Sequence, residues 1–183
     1  MSFTDWKTDR IEHVLPEEFY KLIDKNRNHI GKTFPVTLAN SDSLKKAENF
    51  LAVNHDKEKN KEWFYFFARN IKTNNLIGYL CIKSIDYEKA KCELGYFVDE
   101  NFQGKGIVSK LVSNALAFSF NILNMNKVFI CTSKINKASQ QIALKHHFKQ
   151  EGILREEFKN GDGVLEDIVY FGLLKSEYNT HER

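Results

Sequence analysis

A pair of closely spaced glycines is the feature of this sequence that most suggests a chemical role. The glycines belong to the segment Gln103-Gly104-Lys105-Gly106-Ile107, which follows a strand-like run and opens a helical pattern. At such a junction the first amides of the helix lack internal acceptors, and the positive end of the helix dipole favours an anion. The segment therefore predicts a pyrophosphate site, although a Gly-x-Gly pair alone is equally typical of a tight turn without a ligand.

The elements that position this segment follow from hydrophobic spacing and turn residues. Before residue 63 the patterns predict a strand at 10–15, a helix from Pro16, a helix after Ser41 capped by Asp42 or Ser43, and a charged loop at 55–62. Three strands follow at 63–68, 76–82 and 92–98, and then a long helix at 107–122. The rest of the chain is predicted as a strand at 127–132, a helix at 136–146, and a hairpin at 148–174 that turns at 160–163. The short turns within 63–98 imply three antiparallel strands. The aromatic run from Trp63 is expected to lie in the core.

Composition limits the classes of protein to which the chain can belong. With 183 residues, 42% of them hydrophobic, and only 2 prolines, we expect one globular domain over residues 1–183. A formal net charge of +3 is too small to argue for a nucleic-acid or membrane partner. Cys81, Cys92 and Cys131 have no metal-ligand spacing, and the N-terminus lacks the pattern of a signal peptide. We therefore predict reduced thiols, a cytoplasmic location and no metal.

The glycine segment resembles the signature of the GNAT family of N-acetyltransferases. In that family a Gln/Arg-x-x-Gly-x-Gly/Ala motif follows the fourth strand, as Gln103 to Val108 does here, with Val108 where a small residue is usual. The resemblance implies an α+β fold (mixed α/β) with a mostly antiparallel central sheet of about seven strands flanked by helices. It also implies acetyl-coenzyme A as co-substrate, with its pyrophosphate on the amides of this segment and its pantetheine arm along Tyr96, Phe97 and Val98.

A later helix narrows the resemblance to one branch of the family. The segment from Asn136 to Phe148 is similar to a family motif that ends in Lys-x-Gly-Phe, with His147 at the glycine position. Its asparagine, Asn136, is expected to reach the pantetheine arm, to cap the helix, or to do both. Ala143 stands where many members have a tyrosine acid. The branch typified by the ribosomal-protein acetyltransferases RimJ and RimL also lacks that tyrosine, and the segments 26–30 and 151–162 resemble it too.

The resemblance also implies which residues carry the reaction. Acetyl transfer needs a base for the ammonium proton of the acceptor and a donor for the departing thiolate. Ser139 matches the serine proposed as donor in the RimJ and RimL branch, and the alternative is an ordinary helix-face hydroxyl. Glu93, on the strand before the glycines, and Glu157, on a late strand, are the two candidate bases. Each has a surface charge as its alternative, and the sequence does not choose between them.

The acceptor is less closely defined than the donor. The branch resemblance points to the α-amine of a protein N-terminus, such as that of a ribosomal protein. Acetylation of a small amine, either a polyamine or an antibiotic, is one alternative, and a coenzyme A-binding sensor without catalysis is another because the usual tyrosine is absent. We expect residues between Asn26 and Glu62 to choose the acceptor. The apolar and aromatic content also leaves room for a homo-oligomer.

Overall fold

A seven-stranded sheet forms the centre of the fold in the computed structural model, which describes residues 4–181. The strands are β1 (Trp6–Arg10), β2 (Phe64–Asn70), β3 (Leu76–Asp86), β4 (Lys91–Val98), β5 (Lys127–Ser133), β6 (Lys149–Lys159) and β7 (Leu165–Leu174). The helices are α1 (Pro16–Lys25), α2 (Arg27–Ile30), α3 (Pro35–Ala39), α4 (Leu44–Lys59), α5 (Ile107–Ala117), α6 (Lys137–Lys145) and α7 (Lys175–His181). The signal-peptide prediction rests partly on the first three residues, which lie outside the described range.

The order of the strands creates a cleft in the sheet. The order is β1-β2-β3-β4-β5-β7-β6, and only β4 and β5 are parallel. Those two strands pair from Lys91 to Glu93 against Lys127 to Phe129, after which β4 continues to Val98 and β5 to Ser133 with no further pairing between them. The predicted fold class is therefore confirmed, and the sheet divides where β4 and β5 separate.

Helices cover both faces of the sheet because its central strands are apolar on both sides. Along β2, Phe64, Phe66 and Ala68 join the core beneath α5, whereas Tyr65 and Phe67 join the core beneath α1 and α4. This alternation follows from the two-residue period of a strand. The prediction that the aromatic run is core is confirmed for these residues.

Three local predictions differ from the structure. The first strand is Trp6–Arg10, and a 3-10 helix at Ile11–His13 occupies much of the range predicted as strand. The charged segment 55–62 is largely the end of α4, whose buried Ala47, Leu51 and Asn54 recur at helical spacing while its charges face solvent. The predicted helix at 107–122 widens into a π-helix at Phe118–Ile122. No helix within residues 4–181 has the length and apolar character needed to cross a membrane.

Candidate active site

A cavity of about 810 Å³ opens where β4 and β5 diverge. Lys83, Glu93 and Phe129 lie side by side on β3, β4 and β5 at the point where the separation begins. Helices α3 and α4, helix α6, and the β6–β7 hairpin all contribute residues to the cavity wall. Five of the predicted site residues line this one cavity: Glu93, Tyr96, Asn136, Ser139 and Glu157.

The predicted pyrophosphate segment forms the turn from β4 to α5, which we call the glycine turn (residues 103–108). Gly104 and Gly106 have φ angles of 69° and 82°, in the left-handed region that glycine adopts without a steric cost. A Cβ atom at Gly104 would meet nothing within 4 Å, so the space beside the turn is open. Gly106 caps α5, and the amides of Ile107 and Val108 begin the helix without internal acceptors. The turn therefore fits a pyrophosphate.

Residues at the end of α1 and in α2 contact the loop that leads into the glycine turn, and the sequence did not predict these contacts. Asp99 is 1% exposed and accepts hydrogen bonds from Lys25 at 2.6 Å and from the side chain of Asn26 at 3.3 Å. Burial alone would raise the pKa of Asp99, but these donors and the amide of Asn101 lower it overall. His29 contacts the Gln103 side chain at 3.1 Å. The segment 26–30, noted only as a resemblance, thus positions the loop before α5.

Helix α6 begins at the cavity and presents Ser139 there. Asn136 caps the helix by accepting a hydrogen bond from the Ser139 amide at 3.1 Å, which confirms the capping prediction. The Ser139 hydroxyl lies 3.1 Å from the hydroxyl of Tyr96 on β4. Burial raises the pKa of Tyr96 to about 12, although the contact with Ser139 acts in the opposite direction. Tyr96 therefore stays protonated at neutral pH and can donate a hydrogen bond. The sequence pointed only to its backbone.

Glu93 is engaged by two neighbours on β3. Its carboxylate lies 3.1 Å from Lys83 Nζ and accepts a hydrogen bond from the Ser84 hydroxyl at 3.2 Å. Burial alone would lower the pKa of Lys83, but the nearby Glu93 carboxylate raises it overall, which keeps the ammonium charged. Glu93 is therefore half of an ion pair in the cavity floor. Lys83 is a site residue that the sequence reasoning missed, and the direct pairing of adjacent strands explains the contact.

Glu157 reaches the cavity because of an irregularity in β6. Leu154 pairs with Ile168 and Phe158 with Glu166, so three residues of β6 lie opposite the single residue Asp167. Such a bulge changes the direction of side chains along a strand. Leu154, Glu157 and Phe158 consequently all line the cavity. Glu157 is exposed and has no hydrogen-bond or ion-pair partner among residues 4–181, in contrast to Glu93.

The remaining predicted residues surround the cavity without lining it. Phe97 and Val98 are buried in opposite cores, and their backbones pair with Tyr79 and Gly78 of β3. The Val108 side chain packs partly against the core beside α5. Within the described range, no three histidine, cysteine or acidic side chains are grouped closely enough to hold a metal ion. Cys81, Cys92 and Cys131 are free thiols.

The tip of the β6–β7 hairpin packs against the loop after α2. The Gly161 amide donates a hydrogen bond to Lys32 O at 3.3 Å, and Lys32 pairs with Asp162 at 2.9 Å. The approach is so close that a Cβ atom on Gly161 would lie 1.9 Å from Gly31 O. This contact holds the tip of the hairpin, whose first strand carries Glu157.

Comparison with known proteins identifies the class to which this fold and site belong. A family model for the acetyltransferase (GNAT) domain matches residues 16–149, which is more than half of the chain. The chain therefore belongs to the GNAT acetyltransferase family, whose members use acetyl-coenzyme A.

Individual relatives fall into two groups by their names. The chain is 31% identical over 104 residues to the putative ribosomal N-acetyltransferase YdaF of Bacillus subtilis, covering 57% of this chain and 56% of that protein. It is 28% identical over 169 residues to the ribosomal-protein-serine acetyltransferase of Escherichia coli, covering 90% and 89%. It is also 28% identical over 160 residues to a spermidine N(1)-acetyltransferase of Vibrio cholerae, covering 87% and 88%. The chain thus spans little more than half the length of the first of these relatives.

Two solved structures share the whole fold. The ribosomal-protein-S5-alanine acetyltransferase from Vibrio fischeri has a TM-score of 0.83 at 16% identity, covering 97% of both chains. The spermidine N-acetyltransferase from Vibrio cholerae, in complex with CoA and spermine, has a TM-score of 0.78 at 24% identity, covering 96% of this chain and 98% of that one. At these identities the likeness establishes the fold.

Proposed function

We propose that this chain is an N-acetyltransferase that moves acetyl from acetyl-coenzyme A to the α-amine of a protein N-terminus, such as that of a ribosomal protein. The observation that carries the proposal is that Ser139 on α6 and Glu157 on β6 line one cavity with the residues of β4 and β5 where those two strands diverge. The similarity to the ribosomal-protein-serine acetyltransferase of Escherichia coli supports the choice of acceptor.

The donor side of the proposed site runs from the glycine turn to α6. The amides at the start of α5 would donate hydrogen bonds to the pyrophosphate, and the open space at Gly104 would accommodate it. Beyond Glu93, the edge of β4 that faces β5 has no partner strand and offers its backbone to the pantetheine amides through Tyr96, Phe97 and Val98. Asn136, while capping α6, stands at the same cavity. Acetyl-coenzyme A supplies an activated thioester carbonyl.

Ser139 and Tyr96 form the proposed donor pair for the leaving thiolate. As the acceptor nitrogen bonds to the thioester carbonyl carbon, the carbon–sulfur bond breaks and its electron pair goes to sulfur. The nitrogen then loses its second proton to solvent, and the thiolate takes up a proton from solvent to leave as the free thiol. A serine hydroxyl is a very weak acid, so its role is to donate a hydrogen bond. The protonated Tyr96 hydroxyl lies 3.1 Å from Ser139 Oγ and 3.4 Å from the Ser139 carbonyl oxygen, and when it donates to Oγ the serine proton is free to hydrogen-bond to sulfur. A hydrogen bond to a developing charge favours the transition state.

Glu157 is the better placed of the two candidate bases. The acceptor arrives as an ammonium and must lose a proton before its nitrogen can attack. The Glu93 carboxylate is already engaged by the Lys83 ammonium and the Ser84 hydroxyl, so its oxygens are less available to an incoming amine. Glu157 has no such partners and lies at the open side of the cavity, where a carboxylate can take the proton directly or through water.

A polyamine is the second candidate acceptor, and the similarity to the spermidine N(1)-acetyltransferase of Vibrio cholerae favours it. A sensor that binds coenzyme A without turnover is the remaining alternative, because buried Ala143 stands where a tyrosine acid is usual.

Release of free thiol from acetyl-coenzyme A tests these proposals. The protein is incubated with peptides beginning with Ser or Ala, with polyamines and with small amines, and acetyl-coenzyme A binding is measured separately by calorimetry. We expect turnover with peptides. Binding without turnover on every amine would establish the sensor instead, and turnover on polyamines alone would establish the second candidate.

Two pairs of variants test the assigned roles. Ser139→Ala is compared with Ser113→Ala on α5, and Glu157→Gln with Glu156→Gln in the same bulge. Loss of a donor to developing charge costs about 100- to 1,000-fold in kcat, and loss of a general base costs a factor of about 100 to 10,000. We expect the Ser139 and Glu157 variants to lose turnover while acetyl-coenzyme A affinity changes less than turnover. Unchanged turnover in either variant would remove that residue from the mechanism.

A further inference from the structure

One side of the cavity is apolar and only partly covered by the rest of the chain. The rings of Phe34, Phe50 and Trp63 pack at the edge of the core and line the cavity. Val36 and Val53 also line it and are 70% and 45% exposed. We call these five residues the acceptor wall. Aromatic and aliphatic side chains that line a concave surface favour an apolar ligand group.

Positive and negative side chains line the cavity in equal number, and some of them already contact one another or the cavity wall. They are two lysines and two glutamates, Lys57, Lys83, Glu93 and Glu157. Lys83 and Glu93 already form an ion pair at 3.1 Å. The other lysine, Lys57, has its ammonium 5.0 Å from the centroid of the Trp63 ring, so a cation of the chain itself occupies that ring. Glu157 is left as the carboxylate available to an incoming amine.

This distribution of charge is unfavourable for a ligand with several positive charges. A polyamine needs a carboxylate or a free aromatic face for each ammonium that leaves water. Here one carboxylate faces the solvent side of the cavity, and Lys57 repels a second cation near the acceptor wall. A peptide N-terminus presents one ammonium followed by a neutral backbone.

We infer that the acceptor carries its reacting amine as its single positive charge, with a bulky apolar side chain on the same residue, and that Lys57 disfavours a second cation. The inference rests on the proposed function and names its substrate class. The amine lies by Glu157, the first side chain packs on the acceptor wall, and Lys57 faces the neutral part of the peptide. A peptide that begins with Phe or Leu fits this arrangement better than one that begins with Ser.

The first test compares two amidated tetrapeptides that differ only at the first residue, Phe-Ala-Gly-Gly and Ser-Ala-Gly-Gly, with spermidine as the third acceptor. Burying a large apolar side chain favours the Phe peptide by about tenfold or more in kcat/KM. Equal values for the two peptides, or a higher value for spermidine than for the Phe peptide, would overturn the inference. No thiol release with any amine would instead defeat the proposed function itself, so the two failures are distinguishable.

Two charge-reversed variants on α4 test the role of Lys57. Lys57→Glu replaces the repelling cation, whereas Lys59→Glu makes the same change at a residue that does not line the cavity. We expect Lys57→Glu to raise kcat/KM for spermidine about tenfold at low salt and Lys59→Glu to change it less than about twofold. Similar values in the two variants would show that Lys57 has no such role.

The acceptor wall is tested in the same way. Val53→Ser makes the wall more polar, and Leu44→Ser is its control because Leu44 is 43% exposed on the same helix outside the cavity. We expect Val53→Ser to reduce the preference for the Phe peptide over the Ser peptide by about threefold, with Leu44→Ser unchanged. A preference that survives Val53→Ser unchanged would contradict the placement of the first side chain.

Discussion

Replacing Gly161 by alanine should move the hairpin that carries Glu157. The new Cβ atom would lie 1.9 Å from Gly31 O, whereas Cβ contacts below 3.0 Å essentially never occur, so the two segments must separate by at least about 1.1 Å. The obstacle is backbone and cannot rotate away. Overpacking of this kind costs about 1–3 kcal/mol of unfolding free energy. A displacement of about 1 Å at a reacting group lowers turnover by up to about 100-fold.

The assay separates displacement of Glu157 from general damage. Urea unfolding gives the loss of stability, thiol release gives kcat/KM for the acceptor, and calorimetry gives acetyl-coenzyme A affinity. Gly152→Ala is the control, because Gly152 lies on β6, the strand that carries Glu157, and its added Cβ would meet nothing within 4 Å. We expect Gly161→Ala to lose acceptor turnover while it keeps acetyl-coenzyme A affinity. If Gly161→Ala and Gly152→Ala behave alike, or if cofactor affinity falls as much as turnover, the hairpin does not position the base.

Three further outcomes follow from buried polar contacts. Asp99→Asn should weaken acetyl-coenzyme A binding in calorimetry and cost about 1–3 kcal/mol at pH 7. The pKa of Asp99 is lowered in the folded protein, so its carboxylate contributes to the free energy of unfolding above the unfolded pKa of about 3.9. That contribution is lost as the pH falls through the folded pKa. The Asp99→Asn variant should therefore lose less stability than the parent in acid unfolding. Arg69→Met removes the buried partner of Asp9, which keeps only the exposed Lys7 at 3.4 Å, and should cost about 3–5 kcal/mol in urea unfolding, a loss that Asp9→Asn in the same chain should partly restore. Tyr96→Phe should lower turnover about tenfold and add little to Ser139→Ala if the two hydroxyls act together, whereas additive losses would contradict the pair.

The parts of this molecule that depend on neighbouring residues in the chain were predictable. The glycine turn lies between a strand and a helix as expected, since glycine conformation and helix periodicity are local properties. Asn136 caps α6 for the same reason. The end of α4 was missed because its charges were interpreted as a loop, although Asn54 continues the buried stripe.

The arrangement of the candidate site depends on contacts between distant segments. Glu157 faces the cavity through a three-residue bulge, and no local pattern distinguishes that bulge from a regular strand. The pairing of Tyr96 with Ser139 requires β4 and α6 to meet. The Lys83 and Glu93 pair depends on a register shift between Lys83 and Asp86, because a regular ladder counted from the Asp86 and Lys91 pair would set Lys83 opposite Leu94. The candidate site residues could thus be named from the sequence, whereas their side-chain contacts depend on the packing of the whole fold.

The short junction between β4 and β5 also affects the stability of the fold and its resistance to proteolysis. Only Lys91 to Glu93 join the sheet β1–β4 to the sheet β5–β7, so the two halves share little backbone hydrogen bonding. On the proposed function, a pantetheine arm that lies against β4 supplies hydrogen bonds where the second strand turns away. Ligand at 100 times its dissociation constant adds about 2.7 kcal/mol to the free energy of unfolding. The supply of acetyl-coenzyme A would then govern not only the rate of catalysis but also the resistance of the chain to proteolysis.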